Sequence, residues 1–301
     1  MTAKRIVIIV NKWWECDPIT SVLLHDKARP AEIKDLKAVR YPTQRVKWKV
    51  GDEVPSDPEA LPRLTFTVGA ASVELWCLEE LMNRSVNSSS SAEKARVLPG
   101  AINYGGTQPV MVIAMGTAGI VAKENMNGSV VVGSSVFIHD AFPESIATGM
   151  WKPPQPDMLI ASAKGAVTIG GLKDFERLPA EGRFMVPPIA PAVPMRLVFG
   201  NGYISVGIVN VTNYDDYIWA DDAAIQEFKQ KAVHGHIGSV ETTHGIIRSA
   251  SDAPFIFISG ITDAEGAFDY QVAPRVYAQN TACAHNAGVA LAWLLPSIAN
   301  L

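Results

Sequence analysis

A chain of 301 residues with 48% hydrophobic side chains carries enough apolar material for one large folded domain, which excludes disorder for its bulk. Its 26 Lys and Arg against 30 Asp and Glu leave a formal charge of -4, so it has no basic footprint for nucleic acid or for an anionic membrane. Cys16, Cys77 and Cys283 stand apart without CxxC spacing, which argues against a disulfide framework or a zinc site and fits a reducing cytoplasm. The apolar run at 6–10 is too short for a signal-peptide core, and no apolar segment reaches the ~18 residues that span a bilayer. A soluble cytoplasmic protein that meets a small molecule is the expectation.

In chain order, residues 5–10 (RIVIIV) read as a buried first strand, followed by an exit loop ending at Glu15 and a helix opening near Asp17. Between 28 and 62, charge and proline break up short β-like pieces at 37–41 and 45–50. Residues 64–69 (LTFTVG) are a strand, and 70–84 (AASVELWCLEELMNR) have helical spacing. A serine loop over 85–92 follows. The long stretch 142–158 and the extended segment 187–194 (PPIAPAVP) carry no regular element, and loops of this length are often lids or partner contacts. Residues 203–211 (YISVGIVNV) resume the strand pattern, 221–233 form an amphipathic helix, 237–240 a strand or helix entry, 253–261 (APFIFISGI) a buried strand, and 274–295 a long helix. This alternation predicts an α/β fold, three-layer α/β/α with a mainly parallel, mixed central sheet, in a single domain over 1–301.

The stretch 109–141 organises the rest. Residues 110–115 (VMVIAM) read as a strand buried on both faces, ending at Gly116-Thr117-Ala118-Gly119. Two glycines around two small residues suit a tight exit, either as plain backbone geometry or as a place where N–H groups approach a ligand. A second strand over 130–138 follows the Asn127-Gly128 turn and ends at His139-Asp140. A dinucleotide fingerprint fails here, because it needs a third glycine and a full helix between the strands.

Polar groups therefore sit at successive strand ends: Glu15, the GTAG segment, His139-Asp140, Glu241 and Asp263. This order, with VETTHGIIRSASDAPFIFISGITDAEG at 240–266, resembles the superfamily of nucleoside phosphorylases and methylthioadenosine nucleosidases. The resemblance implies the nucleoside phosphorylase-like fold, a glutamate at Glu15 that positions water, sugar or anion contacts at Thr117, Ala118 and Gly119, and a contact at His139. It also implies Asp263 as the acid toward a purine and a homo-oligomer. Where the family carries a Met and a second Glu after the first, this chain has Thr242 and Thr243, and a threonine cannot hold two hydroxyls as a carboxylate does. Glu241 is kept and is expected at the base or the 2′-hydroxyl.

Breaking an N-glycosidic bond requires protonation of the leaving base, a nucleophile, and groups around an oxocarbenium-like sugar. Asp263 is expected as general acid and Glu15 as the group that positions water. Phosphate calls for arginines in the loops near Glu15 and Gly116, and none is there, so hydrolysis is favoured over phosphorolysis. Tyr214 or Tyr217 could stack on a base. His234-Gly-His236 with His244 could be written as a metal cluster, but an HxH in a glycine-bearing loop without carboxylates or cysteines close by is weak evidence for one, and no metal or cofactor is expected. Each group has a plainer reading: Glu15 as a solvated helix-opening carboxylate, Asp263 as a turn cap, the tyrosines as surface residues. The competing functions are a nucleoside-binding or storage protein on the same fold, which Thr243 favours, and an enzyme acting on a nucleotide or another glycoside.

Overall fold

The computed structural model describes residues 4–25, 29–40, 60–83, 86–122, 124–142, 150–153, 159–160, 184–189, 195–211, 214–231, 233–265 and 277–300, with 159–160 and 214–219 described by backbone only. Strand β1 (Lys4–Val10) leads into helix α1 (Trp13–Leu24), then β2 (Ile33–Ala38), β3 (Leu64–Val68) and β4 (Ala71–Cys77). A short helix, α2 (Leu78–Leu81), precedes α3 (Ser91–Ile102) and the long strand β5 (Met111–Ile120). There follow β6 (Val130–Gly133), β7 (Ser135–Asp140), β8 (Leu159–Ile160), β9 (Leu197–Phe199), β10 (Tyr203–Val209), α4 (Tyr214–Gln230), β11 (His236–Glu241), α5 (His244–Ser249), β12 (Phe255–Ala264) and α6 (Tyr277–Ala299).

All twelve strands join one sheet, ordered β2-β3-β4-β1-β5-β11-β10-β7-β8, with β12 between β5 and β6 and β9 on β6. The β4–β1, β1–β5, β5–β12, β11–β10 and β10–β7 pairs are parallel, while β5–β11, β12–β6, β2–β3 and β3–β4 are antiparallel, so the sheet is mainly parallel and mixed. Parallel strands covered on both faces need continuous apolar runs, and β1 supplies one. Ile6, Ile8 and Val10 face α1 and α6, whereas Val7 and Ile9 face α3 and α5. Farther along, Phe137, Val206 and Ile208 pack on Ala224 and Phe228 of α4. These are the three expected layers.

Several elements differ from the sequence reading. The helix expected over 70–84 is a strand as far as Cys77, paired with β1 and β3, and only Leu78–Leu81 is helical. Its inward Glu74 is matched by Arg5, whose Nε and Nη2 donate to the carboxylate at 3.0 and 2.7 Å. The same guanidinium donates to the carbonyls of Ala101, Ile102 and Thr107, closing the C-terminal end of α3. The single strand expected over 130–138 breaks at Gly133-Ser134 into β6, antiparallel to β12, and β7, parallel to β10. A side chain at Gly133 would collide with the Phe257 ring and the Tyr203 carbonyl, so the break passes through a residue without one.

Helix α1 opens at Trp13 rather than near Asp17, with Glu15 accepting the Lys12 amide. Helix α3 has no counterpart in the sequence reading. Part of the expected serine loop is anchored: Ser90 caps α3 by accepting from the Glu93 amide, and Ser88 accepts from Lys12 Nζ through both its carbonyl and its hydroxyl. The piece at 45–50 and most of 142–158 lie outside the described residues. Helix α6 is long and apolar enough by composition to cross a bilayer, contrary to the expectation that no segment is, but 78% of that window is buried in the fold. Gly260 of β12 lets it approach, since a Cβ there would strike the backbone carbonyl of Cys283.

Candidate active site

The GTAG segment is not a turn. Strand β5 runs through it to Ile120 because β12 stays beside it, with Ser259 opposite Gly116, Gly260 opposite Thr117, Ile261 opposite Ala118 and Asp263 opposite Gly119. The register slips at Thr262, a bulge that re-aims the next side chain, Asp263. Along β5, β1 pairs only as far as Met115 and β11 meets it only at Gly119. Between these partners the Thr117 amide donates to Glu15 Oε1 at 2.6 Å, and the Thr117 hydroxyl donates to the same oxygen at 2.8 Å. The Lys12 amide donates to Glu15 Oε2 at 2.9 Å.

The two glycines make room for carboxylates. A Cβ on Gly116 would lie 2.8 Å from Glu15 Oε1, and one on Gly119 would strike the Glu265 carboxylate first and lie 3.2 Å from Asp263 Oδ2. Both acids are buried, and Asp263 Oδ1 accepts from the Thr262 hydroxyl. Burial pushes the Glu15 pKa up, against the Thr117 and Lys12 hydrogen bonds that favour its anion.

The turn between β11 and α5 lies next to this pair. Glu241 does not reach outward as expected. Its oxygens accept from the Thr243 and His244 amides and, at 3.5 Å, from the Ser205 hydroxyl, so the carboxylate caps its own helix. Desolvation lifts its pKa to about 7, partly offset by those amides. Below it runs a buried chain in which Ser239 donates to Ser205 and Ser205 meets His244 Nδ1 at 2.9 Å. His244 lies against the Phe257 ring, and burial holds its pKa down to about 3, so it is neutral.

Thr243 and Thr242 meet a residue that the sequence reading passed over. Lys94 of α3, wholly buried, donates from Nζ to Thr243 Oγ1 at 3.0 Å and to the Thr242 carbonyl and hydroxyl at 3.3 Å. Burial pulls its pKa down to about 7, with Lys12 adding to the fall and Glu241, Glu15 and Glu79 opposing it. In sequence it is one lysine in a polar serine-rich approach, and its partners lie 148 and 149 residues away.

His139 is not brought to this centre. On β7 it points to the face covered by α4, where Nδ1 meets Glu227 at 2.5 Å, while its neighbour Ile138 faces α5. Tyr214 and Tyr217 lie in the opening turns of α4 rather than on a loop, and their side chains lie outside the described residues. Glu15, Thr117, Ala118, Gly119, Glu241, Thr242, Thr243 and Asp263 do converge.

A mixed, mostly parallel sheet between helical layers, with buried carboxylates at the carboxyl ends of its central strands, is the nucleoside phosphorylase-like fold. Among solved structures, the chain is similar to a 5′-methylthioadenosine/S-adenosylhomocysteine nucleosidase from Streptococcus pneumoniae bound to a transition-state inhibitor, with a TM-score of 0.52, 15% identity, and coverage of 98% of this chain and 99% of that one. It is similar also to a putative nucleosidase of the same kind from Borrelia burgdorferi bound to adenine (TM-score 0.53, 12% identity, 96% and 98% covered). A third is the futalosine hydrolase of Helicobacter pylori (TM-score 0.51, 13% identity, 99% of each chain covered). No family model and no curated protein sequence matches the chain.

Proposed function

We propose that this protein hydrolyses the N-glycosidic bond of a purine nucleoside or a 5′-modified relative, as one domain, with Asp263 as general acid and Glu15 as the base that positions water. The observation that carries the proposal is the pair of buried carboxylates beside one strand, Glu15 over Gly116 and Asp263 opposite Gly119 in register, where Glu265 also closes over the glycine. Their anchor points on β5, Thr117 and Gly119, are about 7 Å apart along the strand, a spacing that suits an attacking water on one side of a sugar and a departing base on the other. As the bond from C1′ to the base breaks, Asp263 gives its proton to a base nitrogen. The water held by Glu15 adds to C1′ and releases its proton to that carboxylate. Glu15 keeps a lone pair free for this on Oε2, which accepts the Lys12 amide, whereas the Thr117 amide and hydroxyl fill both sites of Oε1. The fold shared with solved nucleosidases supports this reading.

The test is release of free base from a panel of purine and pyrimidine nucleosides, methylthioadenosine and nucleotides, with and without phosphate. Phosphate-independent release is expected, slowed at least ~100-fold by Asp263→Asn, the usual size of a proton-transfer contribution. An unchanged rate in that variant, or release that needs phosphate, overturns the assignment.

A further inference from the structure

Lys94 Nζ has no counter-ion in contact. Among the described residues no carboxylate oxygen lies within ion-pair distance of Nζ, and its hydrogen bonds go to three uncharged oxygens. The acids around it are committed elsewhere. Glu241 caps α5, Glu15 holds Thr117 and Lys12, and Glu79 accepts the Trp13 amide and lies 3.9 Å from Lys12 Nζ. A buried unpaired charge is costly to keep, and Lys94 is wholly buried.

Its effect on Thr243 is specific. By donating to Thr243 Oγ1, Lys94 occupies an acceptor lone pair and leaves the hydroxyl proton to be given away. The turn beside Glu15 therefore holds a donor, the Thr243 hydroxyl backed by Lys94 and buried with it, and its one carboxylate is turned inward. A vicinal diol, which offers protons, finds no carboxylate here. An oxyanion finds a charge-assisted partner.

We propose that Lys94 and Thr243 are the sugar-side specificity determinant, and that the substrate is a purine nucleoside carrying a phosphomonoester on its ribose 2′ or 3′ oxygen. This rests on the glycosidase reading above, which places the sugar between Asp263 and Glu15 and hence against the Thr242-Thr243 turn. An arriving dianion completes the ion pair that the folded chain leaves open, so the cost of burying Lys94 is recovered on binding.

The experiment is calorimetry of adenosine, adenosine 2′-phosphate and adenosine 3′-phosphate on the full chain and on the variants Lys94→Met and Thr243→Glu, run beside the base-release assay. One phosphomonoester is expected to bind ~10- to 100-fold more tightly than adenosine, the worth of a hydrogen bond to a charged group. Lys94→Met, nearly isosteric, loses that preference. Thr243→Glu pairs its carboxylate with Lys94 and reverses it in favour of the diol. Equal or tighter binding of adenosine to the unaltered chain overturns the proposal, and so does a preference that survives in folded Lys94→Met. If Lys94→Met fails to fold, a preference that survives Thr243→Glu overturns it instead. Absence of base release from every compound refutes the glycosidase reading, while calorimetry still decides between phosphomonoester and diol.

Discussion

Replacing Gly116 with alanine adds one carbon and two hydrogens, and the structure locates where that carbon lands. The Cβ would lie 2.8 Å from Glu15 Oε1, 3.2 Å from its carboxyl carbon and 3.3 Å from Oε2. A relaxed carbon–oxygen contact needs about 3.3 Å, so the carboxylate has to retreat by about half an ångström. That oxygen accepts the 2.6 and 2.8 Å bonds from Thr117, and losing one bond to a charged acceptor costs about 1.5–3 kcal/mol. At about 1.4 kcal/mol per decade, the expected fall in kcat for base release is ~10- to 100-fold. Overpacking should lower stability by about 1–3 kcal/mol, enough to shift a melting curve while leaving the protein folded. A double-mutant cycle with Glu15→Gln separates this mechanism from general damage. If Gly116 acts only through Glu15, the double variant is as slow as Glu15→Gln alone. Multiplying rate losses, or an alanine variant within twofold of the parent, would refute the view that the glycine is there to seat the carboxylate.

His244 gives a pH prediction. Its folded pKa, near 3, lies below the usual 6.5, so the unfolded chain binds the extra proton between those values and stability falls as pH drops through that window. The full difference is on the order of 4–5 kcal/mol by pH 3, read as a falling midpoint in urea melts, and His244→Asn should flatten the slope. An equally steep acid slope in that variant would assign the loss to other groups. Arg5→Met leaves Glu74 buried with only the Trp76 indole as donor and takes a donor from the carbonyls of Ala101, Ile102 and Thr107, and should cost about 3–5 kcal/mol. A melting temperature unchanged within error would show that Glu74 finds another partner.

The elements legible in the sequence were those whose apolar runs admit one interpretation. The run in β1, the stretch 253–261 in β12 and the small-residue spacing of α6 all lie where periodicity put them. Residues 71–77 misled because Val73, Trp76 and Cys77 match helical spacing as well as a strand buried on both faces, and only the pairing with β1 and β3 decides between them. GTAG was misread because a pair of glycines signals a turn. Here they are strand residues stripped of side chains to admit an acid from 101 residues earlier at Gly116, and Glu265 with Asp263, 146 and 144 residues later, at Gly119, and no local pattern records that. The carboxylates at strand ends were visible as a list. Which of them face the centre was not: His139 and Ile138 are adjacent in sequence and point to opposite layers, and Lys94 acquires its significance only when α3 is laid across the turn before α5.

The grip of Arg5 on the far end of α3 bears on this last point. Ala101 and Ile102, which it holds, lie at the end of a helix that carries Lys94 eight residues earlier, about 12 Å along the axis. Arg5 and Glu74 thereby act as a stop that prevents α3 from sliding lengthwise, and the helix transmits that stop to Nζ as a fixed height above Thr243. Loosening the stop would let Nζ drift along its rail, so, on the proposed role of Lys94, a change at the beginning of β1 would be felt as altered discrimination between sugars.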